Sequence, residues 1–268
     1  MLEQTFETPT PPRLDLSIPA GLIEIETGDD GRTELRLDAS DELLERTTVE
    51  QRGDTVVVHV DDKWDLFGGR RRAMELRVRC PEGAALKARS KSADVRVRGR
   101  LGRADVASAS GDVLLEAVDG DTSVKTASGD VEVRTTGGTL EANTASGDVA
   151  AGSVAGTVRV NAVSGDVRIE SCEGAASVQA VSGDVELLAV RSGRVQAQTV
   201  SGDLAVGVRR GSRVHVDAST LSGDTSSDLD LFGEPIHGDG PVVELRLKSV
   251  SGDISVVRAH DTSPQEVQ

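Results

Sequence analysis

Aromatic side chains are almost missing from this sequence: they form 1% of it, with no tyrosine, one tryptophan and three phenylalanines. A thick core built on rings is therefore excluded, and small aliphatic side chains must fill whatever is buried. Cysteine is as scarce, with only Cys80 and Cys172 in a chain of 268 residues. They stand far apart and in no metal or redox spacing, so each is expected to be a buried free thiol. The histidines, His59, His215, His237 and His260, are scattered, and none falls in a metal-ligand spacing. No window reaches the roughly 18 apolar residues of a membrane span. The start, Met1-Leu2-Glu3-Gln4-Thr5-Phe6, has neither a basic segment nor an apolar run. No signal peptide is visible there, so the expected location is the cytoplasm. Lys and Arg total 30 against 45 Asp and Glu, a net charge of -15. That balance argues against a nucleic-acid backbone or an anionic membrane as the main partner.

What is present in quantity is a repeat. Ser-Gly-Asp recurs at Ser110-Gly111-Asp112, Ser128-Gly129-Asp130, Ser146-Gly147-Asp148, Ser164-Gly165-Asp166 and Ser182-Gly183-Asp184 with a step of 18 residues, then at Ser201-Gly202-Asp203 after 19. Looser copies follow at Ser222-Gly223-Asp224 and Ser251-Gly252-Asp253, and Ser92-Ala93-Asp94 precedes the series. A fixed period of this length marks a solenoid. A second glycine divides each period at Gly120, Gly138, Gly156 and Gly174, and one residue late at Gly193. Small apolar residues alternate after each glycine, as in Val131 and Val133, Leu140 and Ala142, or Val167 and Ile169. That is strand periodicity. Each coil reads as turn, short strand, turn, short strand, with glycine supplying positive φ or close backbone approach at the corners. The predicted fold is all-β: a single-stranded parallel β-solenoid with about 18 residues and two short strands per coil.

Outward positions suggest how the coils hold register. Arg98, Glu116 and Arg134 should stack as an alternating charge ladder, and Lys125, Asn143, Asn161, Gln179 and Gln198 as a mostly amide one. Residues 1–90 alternate like strands without the tripeptide, at Arg13 to Ile18, Leu22 to Glu26, Glu34 to Leu37, Thr55 to Val60 and Glu75 to Arg79. They read as a strand-rich lead-in that caps the solenoid of residues 91–258. Ser40 to Arg46 reads as one or two helical turns with Ser40 as N-cap. A loop insertion is expected at 225–241 and a frayed tail at 259–268. Two segments break the pattern, Trp64 to Arg72 and Leu229 to His237, and both contain Asp-Leu-Phe-Gly. They hold Trp64, Phe67 and Phe232, with Arg70, Arg71 and Arg72 beside the first pair. Such residues are either capping insertions or hot spots for binding a protein, and we take them as the candidate partner site.

The aspartates form the most suggestive row. Carboxylates stacked roughly 4.8 Å apart repel by on the order of 1 kcal/mol per pair even in water. Acceptance of hydrogen bonds from turn N–H groups, or from a serine hydroxyl of the next coil, would offset this. The alternative is calcium along Asp112, Asp130, Asp148, Asp166 and Asp184, as in nonapeptide rolls. The Gly-Gly-x-Gly-x-Asp order of those rolls is missing, and the second turn offers Thr139, Thr157, Ala175, Arg194 or Ser212 in place of a paired ligand. A glycan-active hydrolase or lyase is a third reading, but a catalytic pair should stand out from the repeat rather than recur in it. The repeated serine has no positioned base, so hydrogen bonding between coils is its expected role.

The Gly21 to Glu26 element, Gly-Leu-Ile-Glu-Ile-Glu, followed by repeated Ala/Val-Ser-Gly-Asp-Val, resembles the bacterial β-strand-repeat family labelled "putative adhesin", also called the toastrack domain. The likeness runs from Phe6 to Val257. It implies the solenoid fold, an adhesin-like role, and a link to envelope-stress membrane modules or small transcription regulators. It implies no catalytic residues and no cofactor. Together these readings predict a non-enzymatic scaffold or interaction module. Its partner is another protein, membrane-associated ones included, or a second copy, with no nucleic acid and no membrane insertion.

Overall fold

The computed structural model describes residues 1–29, 31–61, 74–229 and 240–259. Two compact units divide the chain, Met1–Ala150 and Ala151–Gln268.

In the first unit the strands are β1 (Leu2–Glu7), β2 (Arg13–Gly28), β3 (Arg32–Asp38), β4 (Thr47–Arg52), β5 (Thr55–Val60), β6 (Met74–Pro81), β7 (Ala84–Ser110), β8 (Val113–Val118), β9 (Thr122–Ser128), β10 (Val131–Thr136) and β11 (Leu140–Ser146). The expected segments Arg13 to Ile18 and Leu22 to Glu26 are one continuous strand, β2, which turns a corner at Gly21. Both halves of β2 pair in parallel with β7, while β5 pairs with the first half and β6 with the second. From β7 onward the pairing is coil on coil: β7 with β8 and β9, β8 with β10, β9 with β11, all parallel. The lead-in ends in antiparallel pairs, β4 on β5 and β1 on β3 on β6. A single turn of helix, α1 (Asp41–Glu45), follows Ser40, whose side chain makes no capping bond.

The strand Val149–Val154 (β12) contains the boundary between units. The second unit comprises β13 (Val158–Ser164), β14 (Val167–Cys172), β15 (Ala176–Ser182), β16 (Val185–Val190), β17 (Gly193–Ser201), β18 (Leu204–Val208), β19 (Arg213–Ser222), β20 (Thr225–Ser227), β21 (Val242–Ser251) and β22 (Ile254–Arg258). All its pairings are parallel, in two rows. One row runs β13, β15, β17, β21, β19, and the other β14, β16, β18, β22, β20. Coils therefore do not stack in strict sequence order. The coil of β21 and β22 is inserted beneath that of β19 and β20, which becomes the terminal one.

Valine, alanine and leucine fill the interior, as the shortage of rings requires: Val131, Val133, Leu140, Ala142, Val158, Val160, Val185 and Val195 are all buried. Cys80 and Cys172 are buried free thiols.

Candidate functional site

The Ser-Gly-Asp corner explains itself through backbone geometry. Gly147 has φ +127°, and a β-carbon placed there would lie 2.2 Å from the Gly129 carbonyl oxygen, so no other residue fits. The aspartate that follows turns its carboxylate along the stack. Asp94 Oδ1 accepts from the Asp112 N–H at 3.1 Å, Asp112 from Asp130 at 3.0 Å, and Asp130 from Asp148 at 2.9 Å. In the second unit Asp166 accepts from Asp184, Asp184 from Asp203, Asp203 from Asp253 and Asp253 from Asp224, at 2.9, 2.8, 2.8 and 2.8 Å. Main-chain bonds such as Val113 N–H to Asp130 O at 2.8 Å run beside them. One carboxylate oxygen per coil is thus spent on the next coil's turn, which offsets the repulsion within the row. Among the described residues no group of three or more His, Cys, Asp or Glu is arranged to hold a metal ion.

Two expected register devices work differently. The Ser-Gly-Asp serines are exposed, and among the described residues none of their hydroxyls makes a hydrogen bond. Hydroxyls two positions earlier do that work instead: Thr199 Oγ1 donates to Gly183 O at 3.4 Å, Ser249 Oγ to Gly202 O at 3.4 Å and Thr220 Oγ1 to Gly252 O at 3.0 Å. They point inward, where a carbonyl of the neighbouring coil is in reach, while the serine side chain leaves the corner outward. In the first unit the same position is used otherwise: Ser108 Oγ lies 2.9 Å from Ser90 Oγ, Thr126 Oγ1 donates to Ser128 O of its own strand at 3.1 Å, and the buried Thr144 Oγ1 has no partner among the described residues. The charge ladder is also rearranged. A bulge between Val97 and Arg100 shifts Arg98 off the register, and it pairs with Glu24 at 3.3 Å, while Arg134, level with Glu116, pairs with Glu132 of its own strand at 3.5 Å. In the amide row Gln179 lies opposite Gln198, and among the described residues neither makes a side-chain hydrogen bond, while Asn143 Nδ2 also donates to Glu141 Oε1 in its own strand.

Freed of these duties, the corner presents a different surface in each unit. The residue ahead of Ser-Gly-Asp is Ala109, Ala127 and Ala145 in the first unit and Val163, Val181, Val200, Val250 and Leu221 in the second. Those five second-unit side chains are 52, 49, 49, 46 and 84% exposed. The pairings place them in consecutive coils, beside the exposed serines. Aliphatic side chains in such a row gain by being covered, and each has a hydroxyl next to it that can accept or donate. The switch from alanine to valine was readable in the sequence but carries no meaning until the row is known to face outward.

In the first unit, a cleft of about 360 Å³ lies over β1, β3, β6 and β2, lined by Glu3, Glu24, Glu26, Glu34, Arg36, Arg77, Arg79 and Arg98. Its charges pair with one another: Arg36 with Glu3 at 2.6 Å, Arg77 with Glu24 at 3.3 Å, and Arg79 with Glu26 at 3.1 Å. It is a cross-strand ion network on an outer sheet face. His59 and His215 are both exposed, one in each unit. The expected partner residues Trp64, Phe67, Arg70, Arg71, Arg72 and Phe232 lie outside the described residues, as do His237 and His260.

The described geometry defines a β-solenoid of short parallel coils, with glycine corners, an aspartate ladder and an outward apolar row. The chain belongs to the family described as Toastrack DUF4097, which matches residues 13–256. Solved structures similar to it include a "putative adhesin" from Bacteroides fragilis, with 16% identity over 95% of this chain and 96% of that one and a TM-score of 0.49. Another, from Parabacteroides distasonis, has 13% identity, coverage of 95% and 96%, and a TM-score of 0.49. A "putative lipid binding protein" from the same species has 13% identity, coverage of 97% and 96%, and a TM-score of 0.44. No curated protein matches the sequence.

Proposed function

We propose that this protein is a non-enzymatic, adhesin-like interaction module that binds another protein along the outer corner of its second unit. The observation that carries the reading is the exposed row Val163, Val181, Val200 and Val250. Its side chains are held in line by parallel pairing, so a partner meets a preformed surface and loses little on ordering it. The row also suits an extended partner segment, since each coil repeats the same aliphatic and hydroxyl pair. Two further points support a scaffold over an enzyme. The aspartates bond the next coil through Oδ1, and His59 and His215 are single exposed residues. A role in envelope-stress sensing or regulation fits the same reading.

The test compares wild type with a Val163→Ser, Val181→Ser, Val200→Ser variant, both immobilised and exposed to source-cell lysate, soluble and membrane fractions separately. A protein captured by wild type and lost by the folded variant supports the proposal. Equal capture by both, or none by either, overturns it. Adding millimolar calcium or a chelator to the same comparison tests the alternative of a calcium-binding adhesin-type module, which requires a shift in melting temperature.

A further inference from the structure

The terminal coil of the second unit is unlike every coil beneath it. Register places Val195, Leu245 and Val216 in one inward column, and Ala197, Leu247 and Ala218 in the next. Val195, Leu245, Ala197 and Leu247 are at most 1% exposed, whereas Val216 is 36% exposed, and Val214 and Ala218 are only half-buried. Among the described residues no strand pairs with the outer edge of β19. Among the described residues its apolar face is that of a solenoid coil with nothing stacked on it, and an open edge is a template for another strand.

The polarity of that edge can be read from the pairing. Arg213 N–H donates to Pro241 O at 2.9 Å, toward β21. Backbone groups alternate sides along a strand, so those of Val214, Val216 and Ala218 face away from β21, toward the open side. The outward side chains between them are Arg213, His215 and Asp217, all exposed. Neither Arg213 nor Asp217 has an ion-pair partner among the described residues.

We propose that β19 pairs antiparallel with β19 of a second copy of this chain, about a two-fold axis at His215. The pattern is self-complementary in that register. Val214 and Val216 of opposite copies form the hydrogen-bonded pair, with their free N–H and C=O groups facing each other and their side chains on the core side. Arg213 of each copy then stands opposite Asp217 of the other, in the adjacent non-hydrogen-bonded pair where side chains approach most closely. A parallel copy would set Arg213 beside Arg213 and Asp217 beside Asp217. This contact is separate from the valine row at the corner, so it names a further partner and does not depend on the function proposed above.

Sedimentation velocity across a concentration series tests it, with wild type, Arg213→Asp and Asp217→Arg, each checked for an unchanged melting temperature. Wild type should show a monomer–dimer equilibrium, and each single variant should weaken it about tenfold or more, because like charges then face each other. An equimolar mixture of the two variants should restore a dimer containing one of each, since every facing pair is again of opposite sign. Three outcomes overturn the proposal: a wild type that stays monomeric throughout, as it would if its own chain or another partner covered β19; a dimer indifferent to both variants; or a mixture that associates no better than its components. The valine-row variant should dimerise like wild type, so loss of protein capture in that variant and loss of dimer in these would be read independently.

Discussion

Each coil turns twice, and the two corners are built on different terms. At the Ser-Gly-Asp corner three constraints coincide: positive φ, as at Gly147 (+127°) and Gly183 (+135°), backbone within 2.2 and 2.1 Å of a would-be β-carbon, and the Oδ1 to N–H bond onto the next coil. At the other corner Gly138 has the close approach, with Gly120 C at 2.6 Å from a β-carbon position, but its φ is not positive, although that of Gly193 is +92°. Asp121 Oδ1 accepts there from the Thr139 N–H at 2.9 Å, and the column then continues as Thr139, Thr157 and Ala175, so no carboxylate ladder follows. Irregularity collects there. The extra residue that lengthens one period to 19 falls beside Ser192 and Gly193, and the 29-residue interval from Ser222 to Ser251 takes its excess between β20 and β21, on the same side of the coil. A corner that must align a side chain with the neighbouring coil cannot absorb an insertion. One that only has to pass close to its neighbour can, as a loop lengthens at small entropic cost.

The strongest way to break this comparison is to insert one serine at each corner of the second unit. Placed between Ser182 and Gly183, it separates Asp184 from both Asp166 and Asp203 and moves the following strand to the wrong face. The expected result is loss of a cooperative thermal transition. Placed between Arg191 and Ser192, it should cost within about 1 kcal/mol by urea unfolding. Equal damage would remove the distinction. Next in size is Gly147→Val, which combines a strained φ with a backbone clash and should cost upwards of about 4 kcal/mol. Glu141→Gln, on a half-buried outward position of the same coil, should stay within about 0.5 kcal/mol.

Asp130 sharpens the comparison by separating hydrogen bond from charge. Its Oδ1 accepts from the Asp148 N–H at 2.9 Å, so Asp130→Ala should cost about 1–2 kcal/mol. Asp130→Asn retains a carbonyl acceptor and removes repulsion along the row, so it should stay close to wild type. If both variants lose the same stability in urea melts, the ladder acts by charge and the hydrogen-bond account is wrong.

The period, the alternating strands, the glycine corners and the thin aliphatic core were legible because each is repeated, and repetition averages away local noise in the pattern. Gly147 announces its corner only because Gly111, Gly129, Gly165 and Gly183 say the same. Features that occur once were hidden. Insertion of β21 and β22 beneath the terminal coil leaves no local trace, since their Ser251-Gly252-Asp253 looks like one more repeat in order. The ladder of hydroxyls was assigned to Ser-Gly-Asp because that serine is the more regular, although Thr199, Thr220 and Ser249 make the inward bonds. The valine row needed the direction of each side chain at the corner, which alternation does not supply once two exposed residues follow each other, as Val163 and Ser164 do.

The smallest expected effect concerns the tolerant corner, where Cys172 lies with its thiol donating toward the Gly174 carbonyl at 3.3 Å. Burial raises its pKa, and burial pushes Cys80, at the end of β6, from an ordinary value near 9 up to about 12. A thiol that ionises more readily unfolded than folded contributes stability that is complete below its unfolded pKa and is lost as pH rises toward its folded one. Nothing is therefore expected from either cysteine at neutral pH. Above about pH 9 each should withdraw up to roughly 1.4 kcal/mol per pH unit until its folded pKa is reached. The measurement is urea unfolding at pH 7, 9 and 10.5 for wild type, Cys80→Ala and Cys172→Ala. Each variant starts lower at pH 7, from the cavity it leaves, and should then lose less than wild type as pH rises. Cys80→Ala should keep its advantage to the highest pH. A Cys172→Ala variant whose loss runs parallel to wild type would mean that the second corner opens enough for its thiolate to meet water without unfolding, which would make that corner looser than its glycine contacts imply.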